Sequence, residues 1–239
     1  MPRDPVQNAG RERPRAPRIA VVDYGMGNRR SVQKALLHLG AAAAITRDHD
    51  ELCAADGLVV PGVGAFPLGM RNLNELGLAD LISARAREGT PLLGICLGMQ
   101  LLLDGSEELE PTPGLGLIPG EVTWLRTGGL RVPHIGWNEV SFERGSALTA
   151  GLPAQGCPFY HVHSLAARPS DRPDTVGTAE YGERFVTIVE RQSVLGVQFH
   201  PEKSSVHGLR MLQNFARLCR AHADAAAEST GVPGVRLRA

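Results

Sequence analysis

Short apolar runs alternate with amphipathic stretches through the N-terminal half of the chain. RIAVVD at 18–23 is the kind of run that sits inside a parallel sheet. A glycine-rich turn, YGMG at 24–27, follows it. Over 28–39, Val32, Ala35, Leu36 and Leu39 form the stripe of a helix, with Gly40 placed to stop it. The pattern predicts further strands at 42–46 and 57–60 and helices at 66–76 and 79–88. Then PLL at 91–93 passes through GICLGMQ into LLL at 101–103, which predicts a strand, a sharp turn and a helix.

The rhythm changes beyond residue 120. Segments 121–126, 139–142, 159–163 and 185–189 are short, β-rich and separated by Gly, Pro and Asp, which predicts antiparallel or mixed strands. A strand over 194–199 ends at His200. A helix over 204–221 lays Leu209, Leu212, Phe215, Ala216 and Cys219 on one face. The predicted fold is therefore α/β. It has a central, mostly parallel open sheet with helices on both faces, plus a smaller antiparallel or mixed segment. One domain is expected over 18–222. The Arg- and Pro-rich residues 1–17 and the small-residue run 223–239 predict disordered tails.

Charge and composition remove several function classes. Lys plus Arg and Asp plus Glu both total 25, so no charge excess draws the chain to nucleic acid or to a membrane surface. No apolar run approaches the ~20 residues that span a bilayer. The N-terminal segment has no apolar core of a secretory signal, so a cytoplasmic location is expected. The four cysteines, Cys53, Cys96, Cys157 and Cys219, form no CxxC pair, so no metal site, redox motif or cofactor is expected.

Candidate chemistry gathers at two strand ends. Cys96 lies between Gly94 and Gly98, at the junction of a strand run and a helix run. That is the pattern of a nucleophile elbow, where a strained turn lifts the reactive group to the top of the sheet. Much later, GVQFHPEKS at 196–204 offers His200 as a base and Glu202 as its orienting acid. The start of the helix after Cys96 favours a thiolate. An oxyanion hole needs two donors. The Leu97 N–H is one, and the other comes from the PGVGAF turn at 61–66, through Val63 or Gly64. A cysteine after a strand is more often a small buried hydrophobe. The elbow and the FHPE segment together, in that order, reverse those odds.

GICLGMQ with GVQFHPEKS resembles the class I, triad-type glutamine amidotransferases. DYGMGN at 23–28, PGVGAF and PHIGWN at 133–138 are similar to the glutaminase subunits of imidazole glycerol phosphate synthases. The resemblance covers about residues 18–222. It implies hydrolysis of L-glutamine to glutamate and ammonia by a Cys96, His200 and Glu202 triad. The ammonia would pass to a (β/α)₈ cyclase subunit in a heterodimer serving histidine biosynthesis. The resemblance also implies that Gln100, His163 and Ser164 hold substrate and that Asn28, Trp137, Asn138 and Lys203 face the cyclase. Leu165 stands where the family usually has an aromatic, and His161 departs from the pattern as well. A stand-alone cysteine hydrolase of γ-glutamyl or peptide substrates would use the same triad without a partner.

Overall fold

The computed structural model describes residues 15–230. In its first part β1 (Arg18–Val22), α1 (Arg29–His38), β2 (Ala42–Thr46), α2 (His49–Cys53), β3 (Gly57–Gly62), α3 (Phe66–Glu75), α4 (Leu78–Arg87), β4 (Leu92–Cys96) and α5 (Leu97–Leu101) follow one another. The strands pair in parallel in the order β2-β1-β3-β4, and β13 (Val194–Val197) adds parallel to β4. β1 shows why this half forms. Ile19 and Val21 enter the core that α1 and α6 (Ser205–Thr230) cover, while Ala20 and Val22 enter the core beneath α3, α4 and α5. Both faces of the strand are buried, so its apolar run is continuous.

Beyond β13 the sheet turns antiparallel. It runs antiparallel through β12 (Arg184–Arg191), β10 (Leu165–Pro169) and β7 (Gly120–Trp124), and ends at the two-residue strands β5 (Gly105–Ser106), parallel to β7, and β6 (Thr112–Pro113), antiparallel to β5. A side branch joins β11 (Thr175–Glu180) to β12 and to β8 (His134–Phe142), and β8 forms a hairpin with β9 (Cys157–His163).

Several boundaries differ from the sequence expectation. α6 runs on to Thr230, past the expected end of the domain at 222. The reason is local: HADAAAEST is rich in alanine and has no helix breaker before Gly231. The ordered chain also starts before residue 18, because Arg15 bonds both oxygens of Asp56 at 3.0 Å and Pro17 accepts from the Ala42 N–H. Of the tails expected at 1–17 and 223–239, residues 1–14 and 231–239 lie outside the described residues. α2, β5, β6, β10 and β11 were not expected, and β13 stops at Val197, three residues short of His200. Among the described residues no helix is long and apolar enough to cross a membrane.

Candidate active site

β4 delivers Cys96 to the carboxyl end of the sheet, where open α/β sheets bind their ligands. Cys96 sits at φ 54°, ψ −109°, immediately before α5. A side chain forced to positive φ costs about 1–3 kcal/mol and persists only where its surroundings hold it. The flanking glycines do that. A Cβ on Gly98 would drive into the Val60 carbonyl oxygen, and one on Gly94 would meet the Gly98 carbonyl. With any other residue at 98, α5 could not pack so closely on β3, and with any other at 94, β4 could not lie so close to α5. Gly62 lies in register with Cys96, so the Val63–Gly64 turn opens beside the sulfur.

His200 and Glu202 stand on the short 3₁₀ turn Pro201–Lys203. The His200 N–H donates to the Tyr160 carbonyl, and Ser204 Oγ ties Tyr160 N–H to the His200 carbonyl. These bonds fix the turn. His200 Nδ1 lies 3.1 Å from Glu202 Oε1, and both side chains are buried. Burial presses the His200 pKa down. Hydrogen bonds and charge from Cys96 and Glu202 outweigh it and hold the ring at about 9. An imidazolium beside the sulfur is the arrangement that activates a thiol.

Asn28 completes this group, which the sequence reading did not foresee. Its Nδ2 donates to Glu202 Oε1 at 2.8 Å and lies 3.1 Å from His200 Nδ1. The residue expected to face a partner therefore touches the base and its acid. Gln198 is a second addition. Its Nε2 approaches Cys96 Sγ at 3.8 Å, while its Oε1 accepts from Gln100 at 3.1 Å. The thiol itself points at the Val162 carbonyl, 3.7 Å away.

A cleft of about 190 Å³ opens over Cys96. Val63, Gly64, Leu97, Gln100, His163 and Ser164 all line it, so the structure brings together every residue expected to bind substrate or oxyanion. Pro133 of the PHIGWN segment, Val162 and Leu165 line it too, as do Glu108 and Trp124, which no sequence motif marked. Glu108 is held by the Phe66 N–H at the start of α3, 2.7 Å from Oε2. Larger hollows of about 430 and 520 Å³ lie along β2 and against α1, with neither Cys96 nor His200 in their walls.

His163 plays a different part from the one expected. Its Nδ1 donates to the Leu165 carbonyl at 2.7 Å, and its Nε2 faces His134 Nδ1 at 3.4 Å. Asn138 Nδ2 meets His134 Nε2 at 3.4 Å, and His161 bonds the Phe159 carbonyl and Thr187 Oγ1. These contacts are mutually consistent when all three rings are neutral, with tautomers assigned from the network. Burial lowers all three pKa values, His163 to about 3. Both nitrogens of His163 are used inside the protein, so what it offers the cleft is shape and not a free hydrogen bond.

The remaining expected residues divide. Trp137 is 54% exposed on the outer face of β8, and Lys203 is exposed on the 3₁₀ turn. Asn138 turns inward and donates to the Glu180 carbonyl at 2.9 Å. Among the described residues no group of three His, Cys, Asp or Glu could hold a metal ion.

Known proteins resemble this chain in sequence and in fold. The family model described as "Glutamine amidotransferase class-I" matches residues 20–219. The chain is 51% identical over 202 residues to "Imidazole glycerol phosphate synthase subunit HisH" of Moorella thermoacetica, covering 84% of this chain and 95% of that one. It is 48% identical over 203 residues to the protein of the same name from Symbiobacterium thermophilum, covering 84% and 94%. A crystal structure of a glutamine amidotransferase shares the fold at a TM-score of 0.66 and 24% identity, covering 84% of this chain and 98% of that one.

Proposed function

The chain belongs to the class I glutamine amidotransferase family, and from that membership and the cleft's geometry we propose a path for its reaction. The reaction is hydrolysis of L-glutamine to glutamate and ammonia, with the ammonia feeding imidazole glycerol phosphate synthase in histidine biosynthesis. Cys96 thiolate attacks the carboxamide carbon. The oxyanion that forms takes hydrogen bonds from the Leu97 N–H and from the Val63–Gly64 turn. His200, charged at the outset, gives its proton to the departing nitrogen, and ammonia leaves a thioester on Cys96. His200 then takes a proton from the attacking water, the thioester carbon–sulfur bond breaks, and glutamate is released. Glu202, braced by Asn28, holds the imidazole ring and offsets its charge. The carboxylate of Glu108 supplies the cleft's counter-charge for the substrate's α-ammonium.

The partner is a (β/α)₈ cyclase subunit, docked 1:1 over the edge of the sheet that carries Cys96. Ammonia protonates rapidly in water, so the sulfur gains from lying beside the partner's entrance. Val63, Ile135 and Trp137, each about half exposed or more, supply apolar surface at that edge.

The single observation that carries this reading is the junction of Cys96 at positive φ with the His200–Glu202 pair. A glutaminase assay with and without the cyclase and its nucleotide ligand tests it. Strong stimulation by the partner is expected. Cys96→Ala abolishes glutamine-dependent turnover, by ~10⁴-fold or more, while the complex still uses free ammonia. Full-rate hydrolysis of γ-glutamyl peptides by the lone chain would instead establish a stand-alone hydrolase.

A further inference from the structure

Trp124 ends β7 and is 52% exposed. An indole left half in water has a large apolar surface free for contact. Trp137, the other tryptophan, meets the Tyr160 ring edge-on with centroids 6.1 Å apart. Among the described residues no hydrogen bond or ring contact holds the Trp124 side chain. Its position is nonetheless fixed by the sheet. β7 and β10 pair antiparallel with Trp124 directly opposite Leu165, which puts both side chains on one face about 5 Å apart at Cβ. The neighbouring Leu125 N–H donates to the Ser164 carbonyl at 3.0 Å, tying this end of β7 to the segment that lines the cleft. Leu165 is buried, so the leucine forms the inner part of the wall and the indole its outer part. Both line the cleft that holds Cys96.

The substrate has matching chemistry. Glutamine carries polar groups at its two ends, joined by two methylenes. Cys96 and the oxyanion donors take the carboxamide, and Glu108 offers charge for the other end. Trp124, Leu165 and Pro133, with the side chains of Val63, Leu97 and Val162, are the apolar lining that remains for the methylenes, and the indole is the largest of them. We propose that Trp124 is a substrate-binding and specificity-determining residue, whose indole closes over the methylene chain of glutamine. The inference rests on the glutaminase reading and adds to it the residue that grips the substrate's aliphatic part.

Such a contact is made equally in the ground and transition states. Its loss therefore raises KM and spares kcat. In the complex with the cyclase, Trp124→Ala should raise the KM for glutamine about tenfold, the effect of returning an indole-sized apolar contact to water. kcat should stay within about twofold, and Trp124→Phe should restore most of the affinity. A second readout uses Cys96→Ala, which binds glutamine without turnover. Glutamine should shift its tryptophan emission. Adding Trp124→Phe should abolish the shift, and adding Trp137→Phe should leave it. A KM within twofold of wild type in Trp124→Ala, or an emission shift that survives Trp124→Phe, overturns the proposal. So does a Trp124→Ala complex that dissociates more readily at unchanged KM, since the indole would then belong to the partner face. A wild-type complex without any glutamine hydrolysis overturns the glutaminase reading itself, and this inference with it.

Discussion

Asn28 holds a left-handed backbone at φ 75°, a conformation asparagine tolerates better than most residues, and its amide bridges toward His200 and Glu202. His200 Nδ1 has one proton to share with the carboxylate. The Asn28 amide therefore acts by donating to Glu202, whose other oxygen, Oε2, is buried with no partner among the described residues. Removing the amide leaves this carboxylate poorly solvated, a penalty of about 1–3 kcal/mol. Asn28→Gly keeps the backbone and loses the donor, so glutamine turnover should fall about tenfold and the melting temperature by a few degrees. Glu202→Gln bears on the charge. It removes an opposing charge while burial stays, so the His200 ring should titrate well below its present midpoint of about 9, as NMR of the ring would show. Because the folded pKa lies above the unfolded value of 6.5, His200 adds stability in full below pH 6.5 and loses it as pH rises through 9. The variant should flatten that slope. The grouping of Cys96, His200 and Glu202 was legible in the sequence because each sits in a short local pattern. The bond from Asn28 to Glu202 spans 174 positions, and no local pattern could announce it.

At the level of elements, β8 and β9 set His134 directly opposite His163, with His161 alongside. The cluster is neutral because burial makes a second buried cation costly beside the charged His200. The sign of its pH effect is opposite to that of His200. His163 has its pKa depressed from 6.5 to about 3, so its contribution is complete above 6.5 and drains away as pH falls toward 3. At pH 5 that amounts to roughly 2 kcal/mol. His163→Gln should lower stability at neutral pH and flatten the acid limb, which thermal melts from pH 4 to 7 would reveal. Strands buried on both faces were readable from their apolar runs, and β1, β3 and β4 emerged nearly as expected. β10 and β11 did not. LAARP carries an arginine and a proline, and TVGTAE is interrupted by Gly177, so neither has the alternation of a half-buried strand. The helical continuation of α6 was missed because small residues at a chain end read as fraying.

Across the whole molecule, the parallel half builds the elbow and the antiparallel half walls the cleft. The β8–β9 hairpin carries the aromatic surface beside it. Trp137, 54% exposed and braced by Tyr160, is the preorganised kind of anchor that interfaces favour. Trp137→Ala should weaken the complex with the proposed cyclase by about 30-fold in calorimetric titration, the loss typical of an interface hot spot. Partner-stimulated hydrolysis should fall more than basal hydrolysis. The same apolar surface has a consequence for supply. A subunit made in excess of its partner leaves Val63, Ile135 and Trp137 in water, where they invite self-association and capture by quality-control proteases. Gene dosage for the two chains is thereby constrained: surplus of this one gives no extra enzyme, and its abundance should track the amount of partner subunit available to cover it.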